Sequence, residues 1–249
     1  MTLILLCIAG FFAAMVDSIS GGGGLISIPA FLIAGFSPYL ALGTNKFSAS
    51  CASLTSSIKF AKSGKIDYAL MKYLVPFTFM GAILGVNTVL IVSTKYLNTV
   101  VLILLLAVGS YSIFSKSAGL KDNFNRLTKK SIFCGMLLAL CLGFYDGFFG
   151  PGTGSFLIFG LIGIYSFDYV RAGGNGKLLN FISNTTALFI FAFHSQINYG
   201  VGIPVAIFMI IGSYIGTKMA LNKGAKFIKP IFIFMSLAAA CKIFYNLIS

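Results

Sequence analysis

The chain has 249 residues, 58% of them apolar and only 9% charged, where an ordinary soluble domain carries roughly 25% charged residues. So little charge excludes a water-soluble globular protein, and apolar runs of roughly 20 residues without period-2 alternation exclude a membrane barrel, which leaves a bundle of helices in lipid. The net charge of +13 does not point to nucleic acid, because most Lys and Arg residues sit in short loops between apolar runs and make no basic face with interleaved aromatics.

In chain order, the predicted helices of the first half cover 2–16, 24–36, 39–61, 69–92 and 96–114. The longest polar stretch, 115–130, then divides the chain. The second half holds helices at 131–148, 152–165, 169–193, 199–221 and 227–247. The expected organisation is all-α and polytopic: a first transmembrane repeat at 1–114, a cytoplasmic linker at 115–130 and a second repeat at 131–249. The apolar start has neither a basic n-region nor an A-x-A site, so it reads as a membrane element and not as a leader.

The halves repeat a pattern. DSISGGGG at 17–24 and DGFFGPGTG at 146–154 both read D-x-x-x-G-x-G. Asp17 matches Asp146, Gly21 matches Gly150 and Gly23 matches Gly152, at an offset of 129. ALGTNKF at 41–47 then answers AGGNGKL at 172–178, with Lys46 matching Lys177 at an offset of 131. Residues 24–36 would rise only about 20 Å as a helix, less than the roughly 30 Å hydrocarbon core. Short, Gly-interrupted segments at matching places in two halves point to a transporter's binding site.

Charge counting orients the chain. If each Gly-broken pair makes an even number of crossings and the N-terminus lies outside, 14 of the 18 Lys and Arg residues fall on the inner side. Treating each pair as one kinked crossing gives a poorer split of ten to six. The better count puts an odd number of crossings in each half, so the halves become inverted repeats, each with a Gly-broken helix pair and three spanning helices. Inverted repeats are an architecture of alternating-access carriers.

The candidate site follows from these breaks. Gly21, Gly22, Gly23 and Gly24, with Gly150, Gly152 and Gly154, stand where a new helix begins. There the backbone can approach a ligand, and the positive end of the helix dipole faces it. A Cβ at Gly23 or Gly152 would push a ligand off the backbone or strain a positive φ. Thr153 replaces Gly24 in the second motif, so the two tips are not equivalent. Lys46 and Lys177 lie inside spans, where a charge is costly and is read as functional. Lys46 shares a face with Ser50, Ser53 and Ser57, and Lys177 shares one with Asn180 and Asn184. Asn45 and Asn175 lie beside them. The alternatives are lysines snorkelling to an interface and hydroxyls bonding between helices. Asp17 and Asp146 are open to three readings: carriers of a coupling proton, partners of lysine, or helix caps.

Other features carry less. Cys7, Cys51, Cys134, Cys141 and Cys241 form no CxxC pair, so neither zinc nor a redox dithiol is indicated. His194, the single histidine, falls near an outer loop. Tyr145, Phe148 and Phe149 flank the second break and read as packing. No nucleophile with a base, HExxH or Walker loop appears, so no enzyme and no cofactor is expected.

DSISGGGGLISIPAFL, ALGTNK, GFYDGFFGPGTGSF and KLLNFISN, in this order, resemble the TauE/SafE sulfite-exporter family, also called the toluene-sulfonate uptake permease family, in its branch of YfcA-type membrane transporters. The resemblance runs from Asp17 to the KGAKFIKP segment at 223–230. It implies an inner-membrane carrier of two related halves that moves sulfite, sulfonates or other organosulfur anions. The expected function is secondary transport of a small anion, with the lipid bilayer as surroundings and a proton as candidate coupling ion. A passive anion channel and a membrane subunit of a larger complex are the competing readings.

Overall fold

The computed structural model describes residues 2–92 and 121–223. Every regular element among them is an α-helix: α1 Thr2–Ser20, α2 Gly24–Ile33, α3 Pro38–Lys62, α4 Tyr68–Ile91, α5 Lys129–Phe148, α6 Thr153–Tyr165, α7 Tyr169–Phe193 and α8 Tyr199–Lys223. The expected helices at 96–114 and 227–247, and residues 115–120 of the linker, lie outside the described residues. Five helices, α1, α4, α5, α7 and α8, are long and apolar enough to cross a membrane. At 25 residues α3 is equally long, but it buries Lys46, Asn45 and a run of Ser and Thr.

Local chemistry sets the boundaries. Pro38 starts α3 at a position where a missing N–H is harmless. Asp67 caps α4 by accepting from the Leu70 N–H at 3.1 Å, and Asp168 caps α7 by accepting from the Arg171 N–H at 2.7 Å. Thr128 and Ser131 form a capping box at the start of α5. Helix α1 runs further than the sequence suggests, through Asp17 to Ser20. The Gly21 N–H still reaches the Asp17 carbonyl at 2.8 Å, and the chain turns only where Gly21 takes φ +83. Helix α2 stops earlier than expected, at Ile33, and Gly35 at φ +88 makes the turn into α3.

Each Gly-broken pair is a helical hairpin that returns to the end where it began. Phe31, Ala34 and Phe36 pack in one cluster with Leu6 and Cys7 of α1, and Tyr165 at the end of α6 donates to the Ser131 carbonyl of α5 at 2.9 Å. The two tips meet: Ser155 donates its N–H and its hydroxyl to the Gly21 carbonyl, both at 2.9 Å.

Each hairpin lies against the last described helix of the opposite half. Gly10 faces Val205, Phe11 faces Gly212 and Met15 faces Gly216, so α1 and α8 run the same way. Thr78 faces Gly143 and Ala82 faces Gly147, so α4 and α5 run the same way. Helix α3 is antiparallel to α7, with Gly43 beside Phe191 and Phe60 beside Gly173. Caps recur with the same spacing. Asn198 accepts from the Val201 N–H at 3.1 Å as Asp67 does from Leu70, and Thr44 accepts from Asn198 N–H at 3.0 Å as Asn175 does from Asp67 N–H at 2.8 Å. Both pairs of positions are 131 apart.

The bundle has one charged end. Arg171 joins Asp67 at 2.9 Å and Asp122 at 3.1 Å, tying the α3–α4 turn and the 121–128 segment to α7. Lys59 Nζ donates to the Tyr214 carbonyl at 2.9 Å, which places the last turns of α8 there too. Every described Lys and Arg except Lys46 and Lys177 belongs to this end. The opposite end, formed by 34–37, 92 and 194–198, has no Lys, Arg or Asp among the described residues, and His194 is exposed there as expected.

Close backbone approach holds the α4–α5 pair. A Cβ on Gly143 would come within 2.5 Å of the Thr78 carbonyl oxygen, and one on Gly147 within 2.4 Å of that of Ala82. Interfaces of this kind depend on small residues because lipid supplies no hydrophobic drive between helices. Gly143→Leu should therefore destabilise the protein by about 1–3 kcal/mol or more, as overpacking does. Gly163→Leu, where an added Cβ meets nothing within 4 Å, should be near neutral. Thermal melts of the purified protein in detergent compare the two.

Candidate functional site

The hairpin tips, the first half of α3 and the middle of α7 line a cavity of about 40 Å³. At about 10–15 Å³ per water, it has room for some three waters or one small oxyanion. Its wall includes Asp17, Gly23, Gly24, Asn45, Lys46, Asp146, Gly150, Gly152, Gly154 and Asn180. Asn184, Ser27, Ala14, Ala49, Ala52 and Met209 complete it.

Two ion pairs cross between the halves. Lys46 of α3 meets Asp146 of α5 at 3.0 Å, and Lys177 of α7 meets Asp17 of α1 at 2.5 Å. Each lysine is thus neutralised by the aspartate that precedes the other half's glycine cluster. Of the three readings open for the aspartates, pairing with lysine is the one seen for both. Asp17 also caps, taking the Gly23 N–H on Oδ1 at 3.3 Å. The lysines are 2–3% exposed, so neither snorkels to an interface. The pairs differ in environment. Asp146 is 2% exposed and also accepts from the Ser183 hydroxyl at 2.5 Å, whereas the Asp17 side chain is 26% exposed.

A polar chain extends from Lys46. Its Nζ donates to Asn184 Oδ1 at 2.9 Å, and Asn184 Nδ2 donates to Asn180 Oδ1 at 3.2 Å. That orientation leaves the Asn180 amide N–H groups at the cavity wall. Gly150 stands beside the Lys46 ammonium, where an added Cβ would lie 3.1 Å from Nζ. Helices α2 and α6 both start at the cavity, so two positive dipole ends face it, each worth about 0.3–1 kcal/mol to an anion.

Some expected site residues stand elsewhere. Gly21 and Gly22 do not line the cavity. Gly21 is the crossing point of the tips, where a Cβ would come within 2.2 Å of Gly154 backbone. Thr153 does not line it either, because its hydroxyl turns back to the Gly150 carbonyl at 2.8 Å. Lys177 reaches the cavity only through Asp17. Gly23 has φ −59, and a Cβ there would strike the Ala13 carbonyl of α1 at 2.5 Å, so its smallness serves hairpin packing and not ligand approach. Gly152, at φ +84, does hold the strained backbone the sequence suggests. The tip N–H groups are partly satisfied within the protein, by the Gly21 carbonyl and by Asp17. The hydroxyls of Ser50 and Ser53 bond back to Lys46 and Ala49 carbonyls on their own helix, while Ser48, outside that face, crosses to the Gly202 carbonyl at 3.0 Å. Ser183 and Ser27 were not singled out from sequence. Ser183 lies six residues past Lys177, off its face, and only the fold brings it to Asp146.

Removing one member of a buried pair strands the other charge, at a cost of about 3–5 kcal/mol. Lys46→Met should lower the melting temperature markedly, and adding Asp146→Asn should recover most of the loss. A double-mutant cycle in detergent measures the coupling; additive effects would dismiss it.

The family model for Sulfite exporter TauE/SafE matches residues 6–243. The chain is 35% identical over 243 residues to a "Probable membrane transporter protein" of Haemophilus influenzae, covering 98% of this chain and 94% of that one. It is 37% identical over 244 residues to "Probable membrane transporter protein ORF9" of a Sinorhizobium species, covering 97% and 92%. It is 33% identical over 244 residues to "Probable membrane transporter protein YfcA" of Escherichia coli, covering 95% and 88%. No solved structure matches the chain. With a fold of membrane-spanning helices and a family match over nearly its whole length, the chain is a multi-pass cell-membrane transporter that belongs to the TauE/SafE sulfite exporter family.

Proposed function

We propose that the protein is a secondary carrier of a small oxyanion, of the sulfite, sulfonate or carboxylate class, working by alternating access. The observation that carries this reading is the cavity between two hairpin tips, with Lys46 and the Asn180–Asn184 amides on its wall and two helix N-termini aimed into it. The cavity's size suits a few heavy atoms.

On this reading the halves are inverted repeats. The support is directional: α1 leads from the uncharged end towards the charged end, and α5 leads back the other way. The charged end faces the cytoplasm by the positive-inside rule. Asn45, Lys46, Gly23, Gly24, Gly150, Gly152, Gly154 and Asn180 form the binding surface, with Lys177 acting through Asp17. Because two lysines and two aspartates cancel, an incoming anion adds an uncompensated charge in a low-dielectric site. A proton taken up on Asp17 or Asp146 would offset it, and that makes these residues the coupling groups.

Asn180→Ala tests the site without touching an ion pair, and Gly150→Ala crowds it, with the added Cβ 3.1 Å from Lys46 Nζ and 3.2 Å from Asp146 Oδ1. In purified protein, sulfite, thiosulfate, a short sulfonate and a carboxylate are screened by thermal shift, and the best ligand is followed into proteoliposomes. Both variants should lose most of the ligand-induced shift, by about tenfold or more in apparent affinity for a lost charge-assisted contact. Unchanged binding by both would move the site elsewhere.

A further inference from the structure

Each polar face ends on a phenylalanine. On α3, Phe60 lies eleven residues beyond Ala49, and on α7, Phe191 lies eleven beyond Asn180; Ala49 and Asn180 both line the cavity. Eleven residues are about three turns, so each ring stands on the cavity-facing side, roughly 16 Å further along its helix. The helices are antiparallel, so the rings lie towards opposite ends of the bundle.

Phe60 is 1% exposed and belongs to an apolar cluster with Ile66, Leu157 and Leu161 at the charged end. Phe191 is fully buried and belongs to a second cluster with Ile28, Leu42 and Ile197 at the uncharged end. The two phenylalanines are 131 residues apart, as are Ile66 and Ile197, and Ile28 and Leu157 are 129 apart. Those are the offsets that relate the binding motifs. Each cluster draws on both halves of the chain, so relative movement of the halves must disturb it.

We propose that Phe60 and Phe191 are the two gates of the transport path, Phe60 towards the charged end and Phe191 towards the uncharged end, each buried here in its own apolar cluster. This rests on the carrier reading above. A packed apolar ring stops water and ions because neither can be solvated in passing it. Alternating access requires that one cluster part while the other holds. The ends are not equally held. Behind Phe60, Arg171 bridges Asp67 and Asp122, with its guanidinium carbon 4.5 Å and 4.4 Å from the Phe124 and Phe167 ring centres. At the other end the positions corresponding to Arg171 and Asp67 are Leu40 and Asn198, which carry no charge. The Phe191 gate is therefore the easier one to open.

The test is sided labelling of a cavity cysteine. In a variant lacking the five native cysteines, Ala49→Cys reports access to the cavity and Asn123→Cys, in a separate variant, marks the charged end. A membrane-impermeant methanethiosulfonate is applied to either side of oriented vesicles. Phe60→Ala should raise labelling of position 49 several-fold from the side that labels position 123, and Phe191→Ala should raise it only from the opposite side. Arg171→Gln should act in the same direction as Phe60→Ala. Phe→Leu variants give a milder, equally sided rise and keep the test alive if an alanine variant fails to fold. Unchanged labelling in both, or a rise from both sides in either, overturns the gates. This readout needs no substrate. Loss of anion binding with sided labelling intact would defeat the proposed cargo and leave the gates standing.

Discussion

Two buried lysines and the aspartates that pair with them govern this fold. A lysine inside a membrane span is tolerable only if something neutralises it, and here each lysine finds its counter-charge on the other half of the chain. Lys46 needs Asp146 and Lys177 needs Asp17, so neither half can bury its own lysine unaided. The remaining architecture serves this exchange. The hairpins must reach past the middle of the bundle to deliver the aspartates, their tips must lie side by side, and glycine must stand wherever backbones cross.

The glycines are thus of two kinds. Gly21, Gly23 and Gly154 permit close packing between or within hairpins, and a side chain there would collide with backbone. Gly150 and Gly152, which like Gly21 take positive φ, bare the chain at the cavity, Gly150 beside the Lys46 ammonium. One sequence motif serves both ends at once. Packing brings the tips together, and the turn leaves the cavity between them. The pairs are also unequal in setting, since Asp146 is sealed with Ser183 while Asp17 is partly open. The two aspartates therefore differ in their access to water.

Asymmetry recurs at the ends of the bundle. The same caps occur 131 residues apart, yet Arg171, Asp67 and Asp122 make a charged latch at one end only. Positive charge at one end orients a helical protein in the bilayer. At that end Arg171 and Asp122 also tie the 121–128 segment to α7.

The sequence by itself determined the solvent and the helices. Too little charge for water leaves lipid, lipid demands internal backbone hydrogen bonding, and Gly and capping residues between apolar runs mark the ends of most described helices to within a few residues, although α1 runs on to Ser20 and α2 stops at Ile33. The D-x-x-x-G-x-G repeat and the aligned lysines were legible for the same local reason: chemistry that is costly in a membrane stands out against an apolar background. What only the tertiary structure decided is who meets whom. Nothing in the spacing of Lys46 says that its partner lies 100 residues away on α5, or that Ser183 completes that pair. Likewise Gly23 and Gly150 look alike in sequence, and only the path of α1 behind one and the ammonium beside the other separates them. Pairings between distant segments follow from how helices pack in three dimensions, and helix packing depends on the fit of whole faces rather than on any local pattern of residues.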